Sequence, residues 1–171
     1  MELLKPFFKK PYEKYLIREL ARITGINHTT VRQKLEKFTK QKLLKKVKGK
    51  PYDYYQANVE SNAFLLKKLA FNLEQIQPLV EFLEDHYDFP DIVLFGSYAK
   101  AMDDEKSDID IFIPTNITSE PDLSSYEKAL ERHISLFIWT KAEFQEAKRK
   151  SKHLVNNICN GITLSGQLKV L

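Results

Sequence analysis

The chain has 171 residues, of which 43% are hydrophobic and 29% charged, with a net charge of +4 and one cysteine. This length predicts one ordinary domain or two small ones, and the single cysteine excludes a disulfide framework or a thiolate metal site. The sequence shows neither a signal-peptide pattern nor a long apolar run, so we expect a cytoplasmic protein without a membrane partner.

The charge is distributed unevenly along the chain. Residues 1–60 carry 15 Lys and Arg against 6 Asp and Glu, whereas residues 61–171 carry 12 against 17. A basic first segment followed by an acidic one predicts a module that binds a polyanion, joined to a segment with another role.

The basic segment begins with three predicted helices. The first covers residues 3–10, and apolar residues at helical spacing predict the second over 15–23. Gly25 ends the second helix, and Asn27 is an N-cap for the third, which we place over residues 28–41. A short helix, a glycine turn and a helix with polar residues at its start form the helix-turn-helix layout, in which the second helix of the pair enters the major groove.

A basic hairpin is predicted next, with strands over residues 43–47 and 52–57 around a turn at 48–51. Residues 1–60 therefore resemble the winged helix-turn-helix domains of prokaryotic regulators, on the phrase Ile17-Arg-Glu-Leu-Ala-Arg and the run Thr30-Val-Arg-Gln-Lys-Leu. The resemblance implies DNA as a partner, with base contacts from the third helix and phosphate contacts from the hairpin. The predicted base-reading residues are His28, Thr29, Arg32 and Gln33, and the predicted phosphate-binding residues are Lys45, Lys46, Lys48 and Lys50. A winged helix that docks on a protein instead of DNA is the alternative.

A leucine-rich helical pattern follows the basic segment. We predict a helix over residues 61–76, a break at Pro78, and a second helix over 78–88. Residues 61–77 are thus assigned to a linker helix between a domain at 1–60 and a domain at 78–171. This helix carries an apolar stripe that is consistent with packing between domains and with a homodimer contact, and both remain open. The stripe consists of Leu65, Leu66, Leu69, Leu73 and Ile76.

The most informative stretch is residues 92–113, which predicts two buried strands, over 92–95 and 108–113, around a glycine turn and a polar loop. Asp108 and Asp110 are two residues apart in the second strand and therefore point to the same side. Two neighbouring carboxylates repel each other unless a cation or a proton lies between them, and such oxygen ligands suit Mg²⁺. In the turn, Gly96 allows a phosphate to approach the backbone and Ser97 adds a hydroxyl.

Ten residues separate Ser97 from Asp108, which gives the motif G-S-x10-D-x-D. It closely resembles the signature of the minimal nucleotidyltransferases of the DNA polymerase β superfamily. Together with the winged-helix resemblance of residues 1–60, this resemblance implies an α+β chain, with an N-terminal winged helix-turn-helix followed by a small mixed-sheet nucleotidyltransferase domain with flanking helices. It also implies that Gly96 and Ser97 hold a nucleoside triphosphate, which we take to be ATP, and that the catalytic residues Asp108 and Asp110 hold Mg²⁺. The implied reaction transfers AMP to a hydroxyl of a protein or nucleic acid and releases pyrophosphate. Some stand-alone relatives are antitoxins that modify a HEPN-class toxin, so a partner of that kind stays open.

The remaining elements complete a mixed domain. Thr140 and Glu143 form a predicted capping box at the start of a helix. The other predicted elements are a helix over 126–132, a strand over 134–139, a helix over 152–160 and an edge strand over 163–170.

The sequence departs from the family pattern at two places. The family has a third acidic residue on a later strand, and the matching strand here, 134–139, has none, with Ser135 in that place. Ala101 stands where the family often has a glycine. The loss of one metal ligand would reduce turnover and leave nucleotide binding intact, because phosphoryl-type transfer depends on positioning and charge neutralisation. The alternative function is therefore a DNA-binding regulator whose nucleotidyltransferase fold is inactive or only senses nucleotide.

Overall fold

The computed structural model describes residues 2–117 and 119–167 of the chain. The chain forms two units, and the division between them falls between Phe71 and Asn72, inside one long helix. The division at 1–60, 61–77 and 78–171 remains a prediction, and the observed division lies within the segment that we assigned to the linker. In the described part of the chain, no helix combines the length and the apolar character that crossing a membrane requires.

The first unit consists of short helices and one hairpin. Its elements are a 3-10 turn over Glu2–Leu4, α1 (Lys5–Lys9), α2 (Ile17–Thr24), α3 (His28–Lys40), β1 (Leu44–Val47), β2 (Tyr54–Ala57) and the first part of α4 (Asn62–His86). The strands β1 and β2 pair antiparallel. This order is the predicted one, and the ends of the elements differ from the predicted ends by one or two residues, as is common at element boundaries.

Two local signals form the turn between α2 and α3. Gly25 has φ of 68°, the left-handed conformation that glycine adopts without strain at the end of a helix. Asn27 Oδ1 accepts a hydrogen bond of 2.9 Å from the Thr30 N–H and caps α3. Both predictions are confirmed. The apolar faces of these helices and of the hairpin enclose one core, whose fully buried members include Phe7, Phe8, Leu20, Val31, Leu35, Leu44 and Phe64.

Helix α4 is continuous through Pro78, so the predicted break at this residue is wrong. Proline lacks an N–H and leaves the carbonyl four residues earlier without its helical partner. That carbonyl belongs to Glu74, and both Glu74 and Pro78 are exposed, so water can satisfy the free group. Ile76 and Leu79 are buried on either side of the proline and keep the helix in place.

The second unit contains one mixed sheet with the strand order β5-β4-β3-β6. Its elements after α4 are β3 (Ile92–Phe95), α5 (Gly96–Ala99), β4 (Ile109–Pro114), α6 (Ser124–Leu130), β5 (Ile134–Trp139), α7 (Lys141–Lys150), α8 (Lys152–Cys159) and β6 (Ile162–Ser165). The strand β3 pairs antiparallel with β4 and β6, and β4 pairs parallel with β5. The predicted small mixed sheet with flanking helices is confirmed.

The two faces of this sheet carry separate apolar cores. The isoleucines of β4 pack into a core shared with α4 and α6. Phe112, between two of these isoleucines, packs into the other core with residues of α7 and α8. Because side chains alternate along a strand, Asp110 lies on the same face as Phe112, at the end of the sheet where β4 begins.

The later elements agree with the sequence apart from their ends. The capping box of α7 is present: the Glu143 N–H donates to Thr140 Oγ1, and the Thr140 N–H donates to Glu143 Oε2 at 2.7 Å. The edge strand is β6, Ile162–Ser165, and the last part of the predicted strand 163–170 lies outside the described residues.

Candidate functional site

Gly96 is the first residue of α5, at the sharp turn that follows β3, and it lies against the side chain of Asp110. Its φ is 75°, in the region that favours glycine. The antiparallel register places Phe95 directly opposite Asp110. A Cβ added at Gly96 would come closer than 3.0 Å to Asp110 Oδ2, so any other residue would displace this carboxylate. The two halves of the sequence motif are thus adjacent in space, and glycine is required by both backbone conformation and lack of space.

The two aspartates differ in their surroundings. Asp108 is exposed and lies one residue before β4, so the prediction that the strand starts at Asp108 is wrong by one residue. Asp110 is half-buried within the strand. Burial raises the pKa of Asp110 above its ordinary value, and the nearby charge of Asp108 raises it further. The ionised form of Asp110 is therefore disfavoured at this position, and a cation bound beside the carboxylate would stabilise it.

The donor set of this pair fits a divalent cation that prefers oxygen. Within the described residues, neither Asp108 nor Asp110 forms an ion pair or a hydrogen bond, so their oxygens are available for a metal. No group of three or more His, Cys, Asp or Glu suited to a metal occurs in residues 2–117 and 119–167. Two carboxylates completed by water and phosphate oxygens are the usual protein contribution to a Mg²⁺ site.

Residues 77–167 match the family model described as "Polymerase beta, Nucleotidyltransferase", which is more than half of the chain. The chain belongs to this nucleotidyltransferase family. The matched segment contains both Gly96 and the aspartate pair. Membership indicates, at the level of the family, a nucleotide substrate and a divalent metal.

A curated relative comes from Methanocaldococcus jannaschii and is named "Putative protein adenylyltransferase MJ1379". It is 35% identical to the chain over 66 residues, which is 39% of the chain and 66% of the relative. The chain thus spans just under two thirds of the length of that relative. No solved structure matches the chain.

Ser97 and Ala101 lie at the two ends of the turn that follows β3 in this member of the family. Ser97 is half-buried at the start of α5, and its carbonyl accepts hydrogen bonds from the N–H groups of Lys100 at 3.1 Å and Met102 at 3.0 Å. Ala101 is buried and has φ of 55°, the left-handed conformation. The backbone therefore adopts the conformation that a glycine would take at this position, although the residue is alanine.

The register of the sheet places Ser135 of β5 beside Asp110, as we expected from the sequence. The nearest acidic residues in sequence, Glu127 and Glu131, belong to the preceding helical segment. Glu127 Oε1 accepts hydrogen bonds from His133 and from the Ile134 N–H, and Glu131 is the C-cap of α6 in the left-handed conformation. Neither of these contacts replaces a third metal ligand beside the aspartate pair.

A buried polar cluster supports the loop between α5 and β4. Asn72 Nδ2 donates to Asp103 Oδ1 at 2.8 Å and to the Tyr98 carbonyl at 3.1 Å. Arg132 forms an ion pair of 3.5 Å with Asp103 Oδ2 and also donates to the Asp104 carbonyl. Burial raises the pKa of Tyr98, which stays a neutral phenol. We did not predict this cluster, and its signal in the sequence was a polar Asn72 within the apolar pattern of α4.

The predicted DNA-contacting residues of the first unit are all exposed. His28, Arg32 and Lys46 line one groove of about 550 Å³ between α3 and the hairpin, whereas Thr29, Gln33, Lys48 and Lys50 do not line it. Lys46 forms an ion pair of 3.0 Å with Asp53, which raises the pKa of this lysine through their hydrogen bond.

Two further residues of this groove were not predicted. The Arg18 guanidinium lies 5.7 Å from the centre of the Tyr52 ring, and Tyr52 is exposed at the hairpin turn. Sequence reasoning missed both because Arg18 precedes the third helix and Tyr52 was assigned to a strand.

Proposed function

We propose that this nucleotidyltransferase transfers AMP from ATP to a hydroxyl group of a protein or a nucleic acid, with Mg²⁺ bound by Asp108 and Asp110. The observation that carries the proposal is the contact geometry of Gly96 with Asp110, because it joins the triphosphate-binding turn to the metal-binding pair within the segment that matches the family. The name of the archaeal relative supports adenylyl transfer to a protein in particular.

Each residue of the site has a separate role in this reaction. Mg²⁺, when bound, would neutralise the phosphates and stabilise the charge that develops during transfer. Asp108 and Asp110 hold this charge at the start of β4. Gly96 leaves room for the triphosphate beside its own backbone, and Ser97 offers a hydroxyl to a phosphate oxygen. The acceptor hydroxyl then attacks the α-phosphorus, and pyrophosphate leaves.

Label transfer tests this proposal. Purified protein is incubated with Mg²⁺, ATP labelled at the α-phosphate and a lysate of its source. We expect label on a macromolecule with the wild type and none with the Asp108→Ala/Asp110→Ala variant. The matched control is Glu81→Ala/Asp85→Ala, which removes two exposed acidic groups from α4 and should transfer label normally. Equal labelling by the wild type and the Asp108/Asp110 variant would refute the proposal.

We further propose that the first unit is a winged helix-turn-helix that binds DNA. Its support is the order of α2, α3 and the hairpin, together with the excess of positive charge in residues 1–60. Lys48→Ala/Lys50→Ala should weaken binding to all DNA sequences and lower the slope of log K against log salt by about one per lost phosphate contact. Arg32→Ala should instead reduce the difference in affinity between DNA sequences. Lys40→Ala, which changes a residue at the far end of α3, is the control and should bind DNA as the wild type does. If the first unit instead docks on a protein, neither the wild type nor any of these variants should bind DNA measurably.

A DNA-binding regulator that only senses nucleotide is the second candidate function, favoured by Ser135 beside Asp110. It predicts nucleotide binding without transferred label, and DNA affinity that changes when nucleotide is added. A HEPN-class toxin remains a proposed acceptor and a homodimer a proposed assembly. Co-purification with such a toxin and sedimentation of the purified protein test these two.

A further inference from the structure

Asp108 depends on its backbone for its place in the site. The residue is exposed and precedes β4, and its carboxylate forms no hydrogen bond or ion pair within the residues that the structure describes. A ligand of Mg²⁺ must nevertheless be held in a defined place, because this cation demands near-ideal octahedral geometry. The contacts of the chain on either side of Asp108 therefore decide whether it can share a cation with Asp110.

Two consecutive residues of the turn between α6 and β5, Arg132 and His133, fix the chain on both sides of Asp108. The Arg132 guanidinium donates a hydrogen bond to the Asp104 carbonyl on one side. On the other side, the His133 carbonyl accepts a hydrogen bond of 2.9 Å from the N–H of Ile109, the first residue of β4. The segment that carries Asp108 is thus attached at both ends to the turn before β5.

The residues between these two attachments begin with a closed turn. The Ser107 N–H donates to the Asp104 carbonyl at 3.2 Å, so Ser107 and Arg132 share this acceptor. Ser107 Oγ accepts a hydrogen bond of 3.0 Å from the Asp104 N–H and donates one of 3.1 Å to Asp104 Oδ1. Because Ser107 directly precedes Asp108, the position of the Asp104 carbonyl determines that of Asp108 through one short turn.

Arg132 is itself held in place by the buried polar cluster. Its side chain is 8% exposed, and a terminal nitrogen lies 3.5 Å from Asp103 Oδ2. The other oxygen of Asp103 accepts a hydrogen bond of 2.8 Å from Asn72. The planar guanidinium fork allows one side chain to hold a carboxylate and a carbonyl together, and such charged hydrogen bonds are stronger away from water.

The same cluster also contacts the turn that follows β3. Asn72 donates to the Tyr98 carbonyl at 3.1 Å, and the N–H of Met102, which directly precedes Asp103, donates to the Ser97 carbonyl at 3.0 Å. One buried cluster thus connects the turn that we propose for the triphosphate with the segment that we propose for the metal.

We propose that Arg132, held by Asp103, is the positioning residue of Asp108 and fixes this carboxylate for a divalent cation shared with Asp110. This inference rests on the proposed function, because it concerns the metal site of that reaction. Arg132 acts on the site only through the backbone of residues 104–108. Loss of the guanidinium fork therefore weakens metal binding, and a higher metal concentration compensates for the loss by mass action.

Binding of Mn²⁺, measured by electron paramagnetic resonance, tests the inference without requiring transfer. Mn²⁺ prefers the same oxygen ligands as Mg²⁺, and the sample contains an ATP analogue that cannot be cleaved between the α- and β-phosphates. Arg132→Lys keeps the positive charge beside Asp103 but lacks the fork that donates to both acceptors. We expect Mn²⁺ to bind about 10–100-fold more weakly, the usual effect of removing a residue that orients a metal ligand. Binding of the analogue without metal should be unchanged.

Two controls separate positioning from a loss of stability. Arg149→Lys makes the same substitution at an exposed arginine of α7 and should bind Mn²⁺ as the wild type does. Leu83→Ala opens a cavity in the buried core, about 16 Å along α4 from Asn72, and should lower stability without weakening Mn²⁺ binding.

Ser107→Ala is a milder second variant, which decides the question if Arg132→Lys does not fold. It removes the hydroxyl contacts of the turn and should also weaken Mn²⁺ binding. Ser124→Ala, which removes a hydroxyl that donates to Asp122 at 2.6 Å in the same unit, is its control and should bind Mn²⁺ normally. In the label-transfer assay, Arg132→Lys should need about 10–100-fold more Mg²⁺ for half-maximal transfer and should approach the wild-type kcat at saturating Mg²⁺.

The outcomes separate this inference from the function on which it rests. Wild-type Mn²⁺ affinity in Arg132→Lys and Ser107→Ala, or an equal loss in Leu83→Ala, overturns the inference alone. Equal Mn²⁺ binding by the wild type and Asp108→Ala/Asp110→Ala overturns the proposed metal site and the inference with it. A wild type that binds Mn²⁺ through these aspartates but transfers no label overturns the proposed reaction, while weaker Mn²⁺ binding by Arg132→Lys still supports the positioning role.

Discussion

Replacing Gly96 by alanine tests whether the turn and the aspartate pair act as one site. The variant places a methyl group in the space next to the Asp110 carboxylate, on a backbone with φ of 75°. The left-handed conformation alone costs about 1–2 kcal/mol for a residue with a Cβ. We expect a lower free energy of unfolding of the second unit by at least this amount.

The effect on binding follows from the displacement of Asp110. The added Cβ would be closer than 3.0 Å to Oδ2, a separation that real Cβ atoms essentially never show, and 3.1 Å from Cγ. The carboxylate must therefore move by roughly 1 Å, and a misplacement of that size in a catalytic site costs about 100-fold in rate. We expect Mg²⁺-dependent ATP binding to weaken and label transfer to fall by about this factor.

Gly166→Ala provides a closely matched control in the same unit. Gly166 has φ of 70°, and its added Cβ would meet Asp91 Oδ1, again closer than 3.0 Å. Asp91 accepts a hydrogen bond from the Gln167 N–H and is not part of the proposed site. The two variants should thus lose similar stability, measured by urea denaturation, and only Gly96→Ala should lose ATP binding and transfer. Equal losses of ATP binding in both, or wild-type binding by Gly96→Ala, would refute the reasoning.

Three further predictions concern stability. In the folded protein, burial raises the pKa of Asp110 above its ordinary value of 3.8, so ionisation of this carboxyl group opposes folding. The contribution of this group to stability is therefore greatest below pH 3.8, where Asp110 is neutral in both the folded and the unfolded state. That contribution is lost as pH rises through the raised pKa. Asp110→Asn should therefore stabilise the metal-free protein at neutral pH, and the gain should vanish at a pH below 3.8; a gain that persists in acid would contradict this cause. Thr140→Ala removes the acceptor for the Glu143 N–H and should lower the free energy of unfolding by about 1 kcal/mol, whereas no change in chemical denaturation would mean that the cap is not formed. Asp103→Ala leaves the nearly buried Arg132 without its ion-pair partner and should cost about 3–5 kcal/mol, and a loss below 1 kcal/mol would show that water enters the cluster.

Local features of the second unit were predictable because they depend on neighbouring residues. The strand at 92–95, the strand at 134–139 and the capping box at Thr140 were all confirmed at the predicted positions. Apolar runs and caps act over a few residues of chain, so the sequence alone contains the relevant interactions.

Helix α4 shows where local reasoning failed. A proline usually ends a helix, yet burial of Ile76 and Leu79 on either side of Pro78 outweighs the lost hydrogen bond. The prediction of which residues of this helix pack was also only partly correct. Leu66 is 67% exposed, whereas Lys68 is fully buried, because the face of the helix that packs is decided by the residues it meets.

The amino-acid sequence by itself determined most elements of this member of the nucleotidyltransferase family and the motif G-S-x10-D-x-D, including the face of β4 that Asp110 occupies. Alternation of side chains is a local property of an extended chain and needs no knowledge of neighbouring strands. Only the tertiary structure decided the contact of Gly96 with Asp110, the place of Ser135 and the pairing of Glu127 with His133. These depend on strand order and register, which join residues far apart in the chain, and they result from the packing of the whole sheet.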